Sequence, residues 1–140
     1  MLKGIDPLLS GDLLKVLDDM GHGDVLAIVD RNFPAYASGL PVVRIDTDIV
    51  TATRAVLSVF PLDTFVEQPL GRMGPQDSPD DQNAIQDAVL TAAVAAHGAP
   101  LTFEAIRRFD FYDRAGEAFA VVQTRETAPY CDFLLTKGVI

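Results

Sequence analysis

The spacing of hydrophobic and polar positions along the chain predicts helices that alternate with strands. A first helix, capped by Ser10, carries apolar residues three and four positions apart, and we expect Gly21 to end it in the left-handed conformation. The unbroken apolar run at 25–29 is typical of a strand buried on both faces, and it finishes at Asp30. A helix, a tight turn and a central strand therefore follow one another directly.

The rest of the chain alternates in the same way. A helix rich in alanine is predicted to begin with Ser78 as N-cap and Pro79 as its first residue, to reach His97, and to close at Gly98. The other predicted elements are a strand at 42–45, a helix at 48–60, a strand within 65–73, a helix at 108–115, and strands at 118–124 and 133–136. This order indicates a single domain over residues 1–140, an α/β sandwich around a largely buried sheet.

Composition and charge narrow the classes of function. The chain has 140 residues, 49% of them hydrophobic, and a formal charge of -9, which argues against binding nucleic acid. The apolar excess for so short a chain favours a homo-oligomer. A single cysteine, Cys131, and an opening without a secretory signal predict a cytoplasmic protein, and no apolar run approaches the length that spans a membrane.

His22 is the first candidate for chemistry. It lies between two glycines, which leave its ring approachable, and histidine is the side chain whose ordinary pKa lies nearest neutrality. The pattern therefore fits a general acid or base. A histidine just after a helix can also serve only to interact with the last carbonyl groups of that helix, and the residues alone favour this structural role.

Further candidates come from three other places in the chain. Asp30 follows the first strand, at the end where ligands bind in open α/β sheets. Arg108 and Tyr112 combine guanidinium donors with an aromatic plane suited to gripping a polyol, although the same segment also fits a half-buried helix. The turn from Tyr130 to Asp132 precedes the last strand. No metal-ligand spacing or nucleophile elbow is present, so we expect no metal and no organic cofactor.

Taken together, these motifs closely resemble the fucose mutarotase and ribose pyranase (RbsD/FucU) family, and the fucose branch in particular. The resemblance rests on the opening Met-Leu-Lys-Gly-Ile, on Gly-His-Gly-Asp at 21–24, on Asn-Phe-Pro-Ala at 32–35 and on Asp30. It continues through Arg108-Phe109, Phe111-Tyr112, Arg114-Ala115, Ala118 to Val122, Tyr130 and Lys137-Gly138-Val139, and it is weakest at about 64–99.

The resemblance implies roles for individual residues. His22 matches the proton-transferring histidine of the family, while Asp30 and Arg108 match residues that bind the sugar. Tyr130, Cys131 and Asp132 correspond to a family Tyr-Gly-Asn or Tyr-Ala-Asn triplet, so Asp132 stands where Asn is usual. Asn both donates and accepts hydrogen bonds, whereas an ionised Asp only accepts.

The resemblance also implies a fold, an assembly and a reaction. The fold is a three-layer α/β/α sandwich around a mixed, largely parallel sheet, and the assembly is a decamer of two stacked pentamers. The reaction is exchange between the α and β anomers of a monosaccharide, with L-fucose as the leading substrate. Pyranose to furanose exchange of the ribose pyranase type and non-catalytic sugar binding in support of transport are the alternatives.

Overall fold

The computed structural model describes residues 2–140, which form a mixed sheet covered by helices. The helices are α1 (Gly11–Asp19), α2 (Ile49–Leu57), α3 (Ala84–His97) and α4 (Arg108–Ala115). The strands are β1 (Val25–Val29), β2 (Val42–Arg44), β3 (Leu70–Gly74), β4 (Phe103–Arg107), β5 (Ala120–Gln123) and β6 (Phe133–Thr136). No helix within residues 2–140 is long and apolar enough to cross a membrane.

The six strands lie in the order β2-β5-β1-β6-β3-β4. The pairs β1 with β5, β2 with β5 and β3 with β4 are parallel. Only β6 runs in the reverse direction, antiparallel to β1 on one side and to β3 on the other. The chain before β6 therefore meets the carboxyl ends of β1 and β3 at one edge of the sheet.

Two apolar clusters, one on each face of the sheet, make the fold a three-layer sandwich. Alternate side chains of β1 point to opposite faces, so that Leu26 and Ile28 pack in the cluster formed with α1, α2 and α3. Ala27 and Val29 belong to the second cluster, in which Phe111 of α4 is fully buried. The predicted fold class, a mixed and largely parallel sheet between helical layers, is confirmed.

The end of α1 differs from the prediction. Its C-cap is Met20 in an extended conformation, and the residue with positive φ is Gly23 (φ 86°), so the role assigned to Gly21 is wrong. The Lys137 ammonium group donates to the carbonyl oxygens of Leu17 (2.6 Å) and Met20 (2.5 Å). A side chain from the end of β6 thus satisfies groups that a left-handed glycine often satisfies at a helix end.

The start of α3 is also corrected, because Asn83 rather than Ser78 is its N-cap. Asn83 forms a capping box with Gln86. The segment before it stays a loop because the buried Arg72 guanidinium donates to the carbonyl oxygens of Pro79 (3.1 Å), Asp80 (3.0 Å) and Asp81 (3.1 Å). Burial lowers the pKa of Arg72 from its ordinary value. At the other end of α3, Gly98 is left-handed (φ 77°), as predicted.

Candidate active site

A cavity of about 290 Å³ opens where β1 and β3 end and the chain enters β6. Its position follows from topology, since the carboxyl ends of parallel strands form the usual ligand-binding edge of an open α/β sheet. Its lining includes five of the residues that the sequence singled out: Asp30, Arg108, Tyr112, Tyr130 and Asp132.

Asp30 is held rigidly at the end of β1. Its Oδ1 accepts hydrogen bonds from the backbone N–H groups of Asn32 (2.8 Å) and Phe33 (2.9 Å). Burial raises the pKa of Asp30, the two backbone hydrogen bonds lower it in part, and the negative charge of Glu126 raises it further. The fixed carboxyl group is suited to binding a sugar hydroxyl through its second oxygen.

Asp132 lies beside Asp30 and is almost completely buried, with 3% of its surface exposed. Its Oδ1 accepts the backbone N–H of Asp30 at 2.8 Å. Burial, followed by the nearby charge of Asp30, raises the pKa of Asp132 to about 8, despite the opposing effect of that hydrogen bond. These surroundings favour the protonated form of the Asp132 carboxyl group, which can donate as well as accept a hydrogen bond.

Tyr130 is positioned by its backbone as well as by its ring. It is the one non-glycine residue with positive φ (60°) among those described, a conformation that is uncommon for a bulky side chain. Its carbonyl oxygen accepts a hydrogen bond of 2.7 Å from the side-chain amide of Gln86, which also donates to the carbonyl oxygen of Met73 at 2.8 Å. Gln86 therefore holds the backbone of two cavity-lining residues, Met73 and Tyr130, in place.

Arg108 and Tyr112 form the wall contributed by α4. They lie one helical turn apart, and the Arg108 guanidinium carbon is 5.7 Å from the centre of the Tyr112 ring. The Phe33 ring also packs against Tyr112, with ring centres 5.5 Å apart. A cation and an aromatic plane thus face a pair of carboxyl groups, and this combination can bind a neutral polyol through hydrogen bonds and stacking.

The Cys131 side chain is not part of this cavity. It is fully buried in the cluster on the opposite face of the sheet, and burial raises the pKa of its thiol to about 12. Any contact between Cys131 and a ligand has to come from its backbone. No group of three His, Cys, Asp or Glu side chains within residues 2–140 is arranged to hold a metal ion.

His22 lies at the other end of β1 from Asp30. The strand between them contains five residues, which at ~3.3 Å per residue separates its ends by about 17 Å. The His22 Nε2 is 3.2 Å from Oδ1 of Asp63, and the side chain is 45% exposed. The two residues that the sequence joined in one catalytic site are therefore apart within a single chain.

Asp63 is a functional candidate that the sequence reasoning missed. The backbone N–H of Phe65 and the His22 ring lower the pKa of Asp63, while its burial acts in the opposite direction. With a proton on Nε2, His22 donates to this carboxylate and keeps Nδ1 free to accept a proton. The arrangement of a histidine oriented by a buried carboxylate is common where imidazole transfers protons.

The end of β6 positions this histidine. The backbone of Lys137 donates to the carbonyl oxygen of Asp24 and accepts from the N–H of Gly23, both at 2.8 Å, which ties down the turn that carries His22. At the next position, a Cβ on Gly138 would lie 2.8 Å from the Cα of Asp63. The Lys-Gly pair thus brings the histidine turn and its carboxylate together.

The remaining cavity residues gave little signal in the sequence. Asn32 and Phe33 belong to a motif that the resemblance included, but they were not assigned to the site. Met73 and Gln86 fall in the stretch where the resemblance is weakest. The sheet topology, which pairs β3 with β6, brings Met73 to the cavity. Gln86 on α3 is not part of the lining but donates to the carbonyl oxygen of Met73.

The fold and the cavity define a small α/β protein with a polar, aromatic-walled cavity at the carboxyl ends of β1 and β3. The chain belongs to the RbsD/FucU transport protein family, whose model matches residues 3–140.

Named relatives and solved structures are similar to this chain over nearly its full length. It is 42% identical over 140 residues to an L-fucose mutarotase of Glaesserella parasuis serovar 5, covering 99% of this chain and 96% of that protein. The crystal structure of FucU from Bifidobacterium longum is similar with a TM-score of 0.88 and 36% identity, covering 99% of each chain. A fucose mutarotase of Streptococcus pneumoniae in complex with L-fucose is similar with a TM-score of 0.87 and 35% identity, again covering 99% of each chain.

Proposed function

We propose that this chain is a sugar mutarotase, an isomerase that interconverts the α and β anomers of L-fucose. The observation that carries the proposal is the pair of buried carboxyl groups, Asp30 and Asp132, facing Arg108 and Tyr112 across one cavity. The substrate is inferred from the names of the similar proteins, since L-fucose mutarotases match this chain over nearly their whole length.

Anomer exchange needs only proton transfers. A proton added to the ring oxygen lets the bond between that oxygen and the anomeric carbon break, while the anomeric hydroxyl gives up its proton and becomes the carbonyl oxygen. Rotation of the carbonyl group followed by the reverse steps closes the ring with the other configuration. One or two positioned acid or base groups, each contributing roughly 100- to 10,000-fold, are sufficient, so no cofactor is invoked.

In this proposal His22 transfers one of the protons, but in the cavity of a neighbouring copy of the chain. The argument is geometric, because His22 and Asp30 are held at opposite ends of β1. Phe65, which is 73% exposed and whose ring centre lies 5.3 Å from that of His22, offers an apolar surface for such a neighbour. A homo-oligomer, in particular a decamer of two stacked pentamers in the cytoplasm, meets this requirement.

The other cavity residues bind the sugar. Asp30 and Arg108 fix its hydroxyl groups, Tyr130 supplies a further polar contact, and Tyr112 supports the pocket wall. Asp132 lines the same cavity beside Asp30, since its Oδ1 accepts the backbone N–H of Asp30.

Exchange NMR on the anomeric signals of L-fucose, D-ribose and D-galactose tests this function. We expect faster exchange between the α and β anomers of L-fucose, and we expect His22→Gln to reduce it by roughly 100-fold or more while leaving the fold intact. His97→Gln removes the chain's other histidine, at the end of α3, and serves as the matched control.

Other outcomes of the same measurement would point elsewhere. Faster pyranose to furanose exchange of D-ribose would indicate a ribose pyranase. Binding of L-fucose without faster exchange would indicate a non-catalytic sugar-binding protein. Full activity of His22→Gln would remove the assigned role of this histidine.

A further inference from the structure

Asp132 and Asp63 are the most buried acidic residues among those described, each 3% exposed. Asp63 is paired with His22, whereas Asp132 forms no ion pair with any described residue. Among residues 2–140, the only protein hydrogen bond of its side chain is the one that Oδ1 accepts from the backbone N–H of Asp30. Its second oxygen, Oδ2, has no protein partner there, although the residue lines the cavity. A buried carboxyl group without a cation is far more stable with a proton than without one.

The groups around Asp132 reinforce this preference. The nearby charge of Asp30 adds to the effect of burial in raising the pKa of Asp132. The one cation in the cavity lining, Arg108, is exposed and donates its side-chain hydrogen bond to the Tyr112 hydroxyl at 3.4 Å. The titratable and charged groups that face the cavity with Asp132 are Asp30 at the end of β1, Arg108 and Tyr112 on α4, and Tyr130 in the turn before β6. Glu126, after β5, contributes to the raised pKa of Asp30.

We infer that Asp132 holds the one proton of the Asp30–Asp132 pair and is, beside His22, a second proton-transferring group, which donates that proton from Oδ2 to the ring oxygen of the sugar. The inference rests on the proposed function, and it assigns to this carboxyl group a step that an asparagine at the same position cannot perform. As a neutral acid, Asp132 still offers one donor and one acceptor, as the amide of Asn does.

The proton transfers balance over one turnover. Oδ2 of Asp132 gives its proton to the ring oxygen as the bond from that oxygen to the anomeric carbon breaks. His22 of the neighbouring copy takes the proton of the anomeric hydroxyl, and the electrons of that O–H bond form the carbonyl. On ring closure both protons return, so each group ends in the state in which it began.

Asp30 and Asp132 have different tasks because their surroundings differ. Two backbone N–H groups stabilise the charged form of Asp30, whereas Asp132 accepts only one. The shared proton therefore resides on Asp132, and Asp30 stays the acceptor for sugar hydroxyls. Unequal environments of this kind commonly separate the acid from the base in a pair of carboxyl groups.

The variant Asp132→Asn separates binding from proton transfer. We expect it to bind L-fucose with unchanged affinity, because the amide keeps a donor and an acceptor, and to exchange anomers roughly 100-fold or more slowly than the unaltered protein. The alkaline decline of exchange, expected near pH 8 in the unaltered protein, should be absent from the residual activity of the variant. Asp113→Asn, on the exposed side of α4, is the control and should change neither rate nor pH profile.

A second measurement needs no sugar. The unfolded chain ionises Asp132 above its ordinary pKa of 3.8, whereas the folded protein keeps the proton up to about pH 8. The folded state then binds more protons than the unfolded state, so stability falls as pH rises between these values. The Tm of Asp132→Asn should therefore rise relative to that of the unaltered protein as the pH increases across this range. In the unaltered protein, the carboxyl carbon of Asp132 should titrate near pH 8 by NMR.

The outcomes are distinguishable. Full exchange activity in Asp132→Asn, or a carboxyl carbon that titrates near the ordinary value, would overturn the inference. If the unaltered protein accelerated exchange of none of the three sugars, the proposed function would fail, and the catalytic step with it. If Asp132→Asn does not fold, Asp30→Asn takes its place, since removing the neighbouring charge should move the titration of Asp132 to lower pH.

Discussion

At the scale of single residues, the side-chain amide of Gln86 joins three segments of chain. It is 1% exposed, and it donates to the carbonyl oxygens of Met73 and Tyr130 while its own oxygen accepts the backbone N–H of Asn83. Two walls of the cavity and the start of α3 thus depend on one side chain. A buried carbonyl oxygen that loses its partner is costly, because water cannot replace the hydrogen bond.

We therefore expect Gln86→Ala to lower the free energy of unfolding by about 2–4 kcal/mol and to weaken L-fucose binding. Urea denaturation measures the first effect and calorimetric titration measures the second. Gln68→Ala is the matched control, since Gln68 also makes two hydrogen bonds but is exposed and not part of the cavity lining. Equal loss of stability in the two variants would show that burial of the amide is not what matters.

At the scale of elements, β6 connects the cavity at one edge of the sheet with the His22–Asp63 pair at the other edge. Asp132 precedes it at one end, and Lys137 and Gly138 follow it at the other, where Leu62 forms a bridge to Lys137. Because Gly138 lacks a Cβ, the backbone at Leu62 and Asp63 can approach closely. The position of Asp63, and with it the orientation of His22, therefore depends on this glycine.

Gly138→Ala should lower the free energy of unfolding by about 1–3 kcal/mol, since the added methyl group forces backbone apart. It should also reduce the rate of anomer exchange by displacing Asp63 from His22. Chemical denaturation and exchange NMR measure the two effects. Gly11→Ala, at the start of α1 where nothing lies within 4 Å of the added atom, should cost no stability and leave exchange unchanged.

The elements also explain how far the sequence predicts this fold. The run at β1 and the limits of α4 and β6 were predicted correctly because local patterns determine them. The start of α3 was not, since Arg72 from β3 satisfies the carbonyl groups of the preceding loop through contacts that local spacing does not reveal. β4 was missed because it is an edge strand with mixed polar and apolar residues and only one fully buried position.

At the scale of the whole molecule, the candidate site divides into two parts. The sequence predicts chemical roles for His22, Asp30 and Arg108, and one cavity contains both Asp30 and Arg108. The sequence does not reveal that His22, which is only eight positions before Asp30, lies at the opposite edge of the sheet. That separation follows from an extended strand between the two residues, and it makes assembly a requirement of the proposed mechanism.

Mixed oligomers test this requirement directly. If His22 serves the cavity of a neighbour, His22→Gln and Asp30→Asn subunits are each inactive alone, yet a mixed assembly contains interfaces where an intact His22 faces an intact Asp30. Random mixing of equal amounts should restore roughly a quarter of the unaltered rate, since each site then draws its two residues from two independent chains. Co-refolding of the two variants followed by exchange NMR on L-fucose measures the recovery.

The control uses two residues that share a cavity within one chain. Asp30 and Arg108 line the same pocket, so mixing Asp30→Asn with Arg108→Ala creates no site with both residues intact, and we expect no recovery. Recovery in the first mixture alone therefore assigns His22 to the neighbouring subunit. Failure of both mixtures to recover, in oligomers shown to contain both variants, would contradict the assignment of His22 to the cavity of a neighbouring subunit.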